Sequence, residues 1–379
     1  MKIIAPFVIS DVSLVSSTVS ATDPYASGSY NPATTYTAGT VVQVDSPTFT
    51  FTVSGYLFTA ASHGYGNSEM LSVASSGTLP TGLTAATRYY IVQATTDTFK
   101  LSLTKNGTPV TTTGAGTGTH TATVSSHKLY ESLVGSNTGN TPHKSSDHWL
   151  DIGNTNRWKC LDFELASQTL QIAEATYVIQ TASMIDGIYL GNCDADSVVI
   201  TARESGGGAI VHGPSTYSLR HMVGTFFDWC FAPIENTPEF VDIDLPTYYG
   251  MEITITLVKT GGTVRIGTLL AGLSRTLGAT LMGASFSIND YSIKTSDAFG
   301  NMQFTERAYS KRGTFQVMVD KADVDAVNTI LTRYRATPIV FVGSEVYDSA
   351  IIFGKFNSFN TTVAYDTYSM CNLEVEGLT

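Results

Sequence analysis

The sequence predicts a mainly β protein that is built from several modules and carries one amphipathic helix. Apolar and polar residues alternate with a period of two, most clearly in residues 48–53, 98–103, 251–257 and 314–319. Charged residues make up only 14% of the 379 residues, while Ser, Thr and Gly are abundant, and this balance favours extended structure. Helical spacing of apolar residues is clear in one segment alone, residues 320–338.

Charge and hydropathy exclude several classes of partner. The formal net charge is −11 and Lys and Arg form no cluster, so we expect no nucleic-acid binding. A run of about 18 apolar residues is absent, so we expect no membrane insertion. The apolar segment 3–9 contains Pro6 and is followed by Asp11, which favours a strand over a signal peptide. Synthesis and assembly in the cytoplasm are therefore expected.

The four cysteines, at positions 160, 193, 230 and 371, lie far apart and form no Cys-x-x-Cys pair. Neither a zinc site nor a disulfide framework is expected in a chain of this size. We expect most of the cysteines to be buried free thiols.

A small module is predicted from two separate pieces, residues 1–43 and 127–158. Residues 36–42 read Tyr-x-x-Gly-x-Val-Val, which joins a strand to a tight turn. Residues 129–132 read Leu-Tyr-Glu-Ser, and a turn containing Pro142 then leads to Trp-Leu-x-Ile-Gly at 149–153. Joined without the intervening residues, the two pieces form one three-stranded unit.

This unit resembles the carbohydrate-binding modules of families 5 and 12, which show the same order of Tyr strand, Tyr strand, Pro turn and final Trp. Those modules place exposed tryptophans after the middle-strand Tyr, whereas residues 130–134 here read Tyr-Glu-Ser-Leu-Val. The candidate carbohydrate-binding residues are Tyr30, Tyr36, Tyr130, Trp149 and Trp158. We expect Tyr36, Tyr130 and Trp149 to fill the small core instead. If sugar is bound, Tyr30 or Trp158 is the expected stacking platform.

Residues 44–126, rich in Thr, Ser and Gly, are predicted to be a small β-domain inserted into that module. Their motifs at 79–92, 97–102 and 114–121 resemble a β-domain found inserted in structural and tail proteins of bacteriophages. Insertion between two strands requires that the ends of the inserted domain lie close together. A β-domain whose first and last strands are neighbours meets that condition.

The turn Asn-Thr-Gly-Asn-Thr-Pro at 137–142 is followed by the Trp-Leu-x-Ile-Gly segment and by Thr-Asn-Arg-Trp at 155–158. This order is similar to sequences that recur in tail and baseplate proteins of tailed bacteriophages. The resemblance implies a structural protein of the virion tail, in the distal tail or baseplate region. It also implies a homo-oligomer around the tail axis that contacts other tail proteins and, through the small module, a host-surface glycan.

Residues 159–285 are predicted to form a β-sandwich or jelly roll, because short alternating strands are separated by Gly, Pro and Asn. We expect the aromatic run 226–231 to pack across it; an exposed position would instead mark an assembly interface. Residues 286–379 are predicted to form an α+β assembly domain. Its amphipathic helix should begin at Asp320 as N-cap and stop before Pro338.

Motifs of common enzymes, such as Gly-x-Ser-x-Gly, His-Glu-x-x-His and phosphate-binding loops, are absent from the sequence. His143 with Asp147 and His148 lacks a third ligand at metal-binding spacing, which favours a solvated turn. Five carboxylates fit a glycosidase pair or a calcium site as well as they fit polar strand faces: Asp194, Asp196, Glu239, Asp242 and Asp244. We predict no enzyme, catalytic residue, metal or cofactor. A host-glycan-binding adhesin is the alternative to the virion structural protein, and a polysaccharide hydrolase is the third hypothesis.

Overall fold

The computed structural model describes residues 1–181, 183–220, 225–231, 233, 236–296, 299–363 and 365–379. The chain is mainly β, as the sequence predicts. It divides into two compact units, which we call the module unit (Ile9–Lys159) and the sheet unit (Met1–Val8 with Cys160–Thr379). None of the described helices is long and apolar enough to cross a membrane.

The strands are numbered in chain order through both units. The sheet unit begins with β1 (Lys2–Phe7). The module unit contains β2 (Leu14–Ser17), β3 (Thr35–Tyr36), β4 (Val41–Val44), β5 (Thr48–Ser54), β6 (Leu57–Thr59), β7 (Met70–Ser75), β8 (Tyr89–Val92), β9 (Thr98–Ser102), β10 (His120–Val124), β11 (Lys128–Ser132), β12 (Asn137–Thr138) and β13 (Trp149–Asn154).

Six of these strands close into a barrel in the order β10-β5-β6-β9-β8-β7. Phe58, Phe99, Ile91 and Leu101 fill its interior and are fully buried. The alternation read in residues 48–53 follows from this closure, because every second side chain points into the barrel. The first strand, β5, pairs with the last strand, β10, so the ends of the barrel lie side by side. The geometric condition for an insertion is therefore met.

The remaining part of the module unit is a three-stranded sheet in the order β13-β11-β4, beside the short pair β12-β3. Strand β4 comes directly before the barrel and β11 comes directly after it. The two strands pair antiparallel, with Tyr130 opposite Val42. The small sheet is thus assembled from both sides of the barrel segment.

The sheet unit continues with β14 (Thr169–Gln180), β15 (Gly187–Asp194), β16 (Ser197–Arg203), β17 (Ile210–Ser218), β18 (Phe240–Asp242), β19 (Glu252–Thr276), β20 (Ala279–Thr280), β21 (Ser285–Asp290), β22 (Ile293–Ser296), β23 (Met302–Thr305), β24 (Tyr309–Asp320), β25 (Ile339–Val342), β26 (Ile351–Thr362) and β27 (Tyr368–Gly377). Its two α-helices among the described residues are α1 (Phe226–Phe231) and α2 (Val324–Arg333). The main sheet runs β17-β16-β19-β1-β25-β26-β27-β24-β20.

Strand β1 lies inside this sheet, between β19 and β25. Ile3 packs with Phe315 and Phe341 on one face, while Ile4 packs with Tyr189 on the other. A strand covered on both faces reads as a continuous apolar run, which explains the apolar segment near the N-terminus. The expected module 1–43 therefore differs from the structure in its first eight residues, which belong to the sheet unit.

The expected boundary between residues 285 and 286 also differs from the structure. Strands β24 to β27 continue the same sheet as β1 and β19, and residues 160–379 form one compact unit. Alternation in the sequence shows that strands exist but does not show which strands pair. The alternation therefore does not indicate that one sheet spans both segments.

Helix α2 lies within the predicted segment and buries Val327 and Leu331 against the core. The predicted N-cap is wrong, because Asp320 is the last residue of β24 and Asp323 occupies the cap position. The predicted packing of the aromatic run 226–231 is also wrong. Phe226, Phe227 and Phe231 lie on the short helix α1 and are 80%, 68% and 73% exposed.

The cysteine prediction is confirmed. Cys160, Cys193 and Cys371 are buried free thiols, and Cys230 is a free thiol on the surface.

Candidate functional site

Four of the five candidate carbohydrate-binding residues meet in one aromatic cluster on the small sheet. Tyr36, Tyr130 and Trp149 are only 8%, 7% and 3% exposed. The rings of Tyr36 and Trp149 meet edge to face at 5.3 Å, and the indole N–H of Trp149 donates a hydrogen bond of 2.8 Å to the carbonyl oxygen of Asn140. The interpretation that these three side chains fill the core is confirmed.

Burial decides what this cluster can do. A pyranose ring stacks on an exposed aromatic plane, and none of the three buried rings offers one. Tyr30 is half-buried, with Tyr36 stacked at 6.0 Å and Trp149 edge-on at 5.9 Å. The cluster therefore holds the small sheet together and leaves little aromatic surface for a sugar.

Trp158 lies in a different cluster. Its indole stacks on the imidazole of His127, with ring centres 4.0 Å apart and planes within 7° of parallel. One face of the indole is thus covered by a side chain of the same unit. The two platforms suggested by the sequence, Tyr30 and Trp158, therefore belong to different clusters.

His127 is the centre of what we call the junction cluster, formed with Asp11, Asp45, Ser46 and Ser125. The imidazole Nε2 lies 2.8 Å from a carboxylate oxygen of Asp11, and Nδ1 lies 3.2 Å from a carboxylate oxygen of Asp45. Ser125 and Ser46 both donate hydrogen bonds to the other oxygen of Asp11, at 2.5 and 3.4 Å. These residues flank the barrel on both sides, so the cluster ties its two ends to the N-terminal segment of the module unit.

The cluster favours the charged imidazole. Burial lowers the pKa of His127, but the hydrogen bonds and charges of Asp11 and Asp45 outweigh that effect and raise the pKa above its usual 6.5. Burial raises the pKa of Asp11, and the hydrogen bond and charge of His127 outweigh it, so that this pKa falls below its usual 3.8. The imidazole thus bridges two carboxylates at the entrance to the barrel, an arrangement that stabilises its protonated form.

A pH-dependent stability follows from these two shifts. The contribution of His127 is complete below pH 6.5 and is lost as the pH rises through its raised folded-state pKa. The contribution of Asp11 is complete above pH 3.8 and is lost as the pH falls through its lowered pKa. We expect the melting temperature of the module unit to be highest between these values and to fall by about 2–4 °C on the alkaline side.

Differential scanning calorimetry over this pH range measures the effect, and His127→Gln should abolish the alkaline decline. His148→Gln, which removes an imidazole of the same unit outside the cluster, is the control and should retain it. An alkaline decline that persists unchanged in His127→Gln would contradict the assignment.

A cleft of about 610 Å³ lies between the barrel and the small sheet, within the module unit. Tyr65 of the barrel stacks on His143 across it, with ring centres 4.5 Å apart. Lys128 and Asp151 on the sheet side form an ion pair of 2.6 Å, and Glu69 lines the barrel side. The cleft is thus lined by aromatic rings and by hydrogen-bonding groups of both charge signs.

Burial controls protonation in the cleft. It lowers the pKa of His143 to about 4, helped by the charge of Lys144, so this imidazole is neutral at physiological pH. It raises the pKa of Glu69 and raises that of Tyr130 to about 12. A neutral imidazole, two phenols and an internally paired lysine favour an uncharged polar ligand over an anion.

The metal alternative at His143 is not supported by the geometry, because its imidazole stacks on Tyr65. Within the ranges that the structure describes, no group of three His, Cys, Asp or Glu side chains is arranged to hold a metal ion.

Four of the five carboxylates considered as an acid pair or a calcium site have separate polar partners. The contacts join Asp194 to Lys259, Asp196 to Arg220, Glu239 to Lys311 and Asp242 to Tyr217. At Asp244 it is the backbone N–H that makes a contact, donating to the carboxylate of Asp242. This is the arrangement expected of polar groups on neighbouring strands.

Sequence reasoning missed the junction cluster and the barrel side of the cleft. One signal was present, because Asp45 and His127 stand at the two ends of the predicted insertion. The two ends of an inserted domain must lie close together, so polar residues at those ends are expected to form hydrogen bonds or ion pairs with each other. The pairing of Tyr65 with His143 had no comparable signal.

No protein-family model, curated protein or solved structure matches this chain.

Proposed function

We propose that this protein is a structural component of a bacteriophage virion tail, in the distal tail or baseplate region, and that it self-associates around the tail axis. The proposal rests on one observation: the sheet unit carries a β-ribbon whose apolar side chains are exposed. The motifs in the module unit and the hydroxyl-rich β composition add support.

The ribbon consists of β22 and β23, which pair antiparallel from Ile293 opposite Thr305 to Ser296 opposite Met302. Every residue of both strands is exposed. Met302 and Phe304 share one face of the ribbon and are 56% and 66% exposed. Clustered apolar side chains of this size on a surface mark an interaction site.

A second copy of the chain is the occupant that fits this ribbon. The sheet is open and its two ends are different, β17 at one and β20 at the other. The exposed phenylalanines of α1 form a second apolar patch on the same unit. A contact between unlike surfaces of successive copies is heterologous, and heterologous contacts build a ring when the rotation between copies closes. The proposal requires that closure around the tail axis.

The module unit would then serve contact with a host surface, through the cleft between barrel and sheet. Burial of Tyr36, Tyr130 and Trp149 favours the assembly role over a glycan-binding adhesin, because these rings lie in the core of the small sheet and cannot stack on a sugar.

Light scattering coupled to size-exclusion chromatography tests the proposal. We expect the full chain to elute as a defined oligomer, and Met302→Ser with Phe304→Ser to shift it to a 40.5 kDa monomer. Leu103→Ser, on the barrel, is the matched control because this leucine is also 56% exposed, and it should leave the oligomer intact. A wild-type chain that is monomeric at all concentrations would overturn the assembly role.

A further inference from the structure

The cleft between the barrel and the small sheet contains two phenol hydroxyl groups without a partner in the protein. Tyr65 of the barrel and Tyr130 of β11 both line the cleft, and each residue is only 7% exposed. Neither hydroxyl group forms a hydrogen bond within the described residues, yet both oxygen atoms remain open to solvent. A ligand in the cleft can therefore reach two polar groups whose side chains are otherwise shielded.

A carboxylate lies near both hydroxyl groups. Glu69 is exposed and lines the barrel side of the cleft. Burial raises the pKa of both phenols, and the negative charge of Glu69 adds to that effect at each of them. One carboxylate oxygen, Oε1, accepts a hydrogen bond of 3.2 Å from the backbone N–H of Gly66. Within the described residues Glu69 forms no ion pair, so its charge is open to a cation from outside the chain.

The other lining residues leave this carboxylate in excess. Lys128 pairs with Asp151 at 2.6 Å, so these two charges offset each other. The imidazole of His143 is neutral at physiological pH, because burial lowers its pKa to about 4. Lys144, its neighbour in the chain, does not line the cleft. The remaining polar lining residues are uncharged serines: Ser68, Ser125, Ser126 and Ser146.

These observations favour a primary ammonium group as the ligand. Its three N–H donors match the second oxygen of Glu69 and the two phenol oxygens, all of which accept hydrogen bonds. Its charge offsets that of Glu69, whereas an uncharged hydroxyl group would leave the carboxylate without a counter-charge and an anion would be repelled. The exposed side chain of Leu150 in the cleft wall suits an aliphatic stem. A volume of about 610 Å³ is within the usual range of small-molecule sites.

We infer that this cleft binds an aliphatic primary ammonium group, the chemistry of a lysine side chain, which donates hydrogen bonds to Glu69, Tyr65 and Tyr130. The inference deepens the proposed contact with a host surface, on which it rests, by naming the chemical group that the cleft recognises. Self-association is a separate property, because the ribbon residues are not part of the cleft.

Ligand-observed NMR of the full chain tests the inference, with n-butylamine and Nα-acetyl-lysine amide as ammonium probes. The first is a free alkylamine and the second presents the group as a peptide does. n-Butanol, which is uncharged, and butyrate, which is an anion, are the comparison probes. We expect saturable binding of at least one ammonium probe and at least tenfold weaker binding of n-butanol and butyrate. Added salt should weaken the binding of the ammonium probe, because salt screens the attraction between charges.

Glu69→Gln keeps the shape of the side chain and removes its charge, so it should weaken binding of the ammonium probe at least tenfold. Glu131→Gln, on β11 and outside the lining of the cleft, is the matched control and should bind like the wild type. The double variant Tyr65→Phe with Tyr130→Phe keeps both rings and removes both hydroxyl groups. It should also weaken binding at least tenfold and should keep the wild-type melting temperature, because neither hydroxyl group has a partner in the protein.

Three results would overturn the inference: no saturable binding of either ammonium probe, equal binding by Glu69→Gln, or binding of n-butanol as tight as that of the ammonium probe. Light scattering on the same samples separates these results from the test of self-association. A defined oligomer that binds no amine overturns this inference alone. A monomer that binds the amine supports this inference and overturns the assembly role.

Discussion

Replacing Trp149 with Ala should lower the free energy of unfolding of the module unit by about 3–5 kcal/mol. The indole is 3% exposed and packs against Tyr30 and Tyr36, and its N–H holds the carbonyl oxygen of Asn140. The neighbouring Tyr36 is held by hydrogen bonds between its hydroxyl group and the backbone of Asn31, so it cannot move to fill the cavity. Hydrogen exchange of β11 and β13 measured by mass spectrometry reports this loss locally.

Leu150→Ala is the matched control, because the neighbouring leucine on the same strand is 48% exposed. It should change the free energy of unfolding by no more than about 0.5 kcal/mol. Trp149→Phe should recover part of the loss, since it restores a ring without the hydrogen bond. If Trp149→Ala were as stable as Leu150→Ala, the aromatic cluster would not be the core of the small sheet.

Replacing Gly272 with Ala should destabilise the sheet unit by about 3 kcal/mol, the upper end of the usual cost of overpacking. Gly272 lies on β19 opposite Pro6 of β1, and a methyl group there would overlap the backbone carbonyl oxygen of Ala5. Backbone atoms in the middle of a sheet cannot move aside without separating strands. Chemical denaturation followed by circular dichroism, with hydrogen exchange in β1, measures the effect.

Gly262→Ala on the same strand is its control. A methyl group at that position meets only the flexible side chain of Lys259, which can rotate away. Its free energy of unfolding should remain within about 0.5 kcal/mol of the wild type. Equal free energies of unfolding for Gly272→Ala and Gly262→Ala would show that β1 does not pack closely against β19 at Gly272.

Patterns among residues close together in the chain were enough to predict individual strands, helix α2 and the small aromatic core. Period-two alternation identified the strands, and the spacing of Val327 and Leu331 identified α2. The absence of tryptophan after Tyr130 correctly predicted an aromatic core at the small sheet. Each of these depends on residues close together in the chain.

Long-range pairing could not be predicted in the same way. β1 pairs with residues 271–276 and with β25, and apolarity alone does not distinguish these partners from others. The run 226–231 was misjudged because a short aromatic segment fits a buried strand and an exposed helical turn equally well. The ion pair of Glu239 with Lys311 was not predicted, since the two residues are 72 residues apart in the chain.

The closure of the barrel has a consequence wherever copies of the chain come close together. Strand β10 bonds to both β5 and β7, so the barrel has no unpaired backbone row on which a neighbouring barrel could add a strand. Crowding the barrels side by side therefore does not seed fibres through them. The open sheet edges lie elsewhere, at β13 and β4 of the small sheet and at β17 and β20 of the sheet unit.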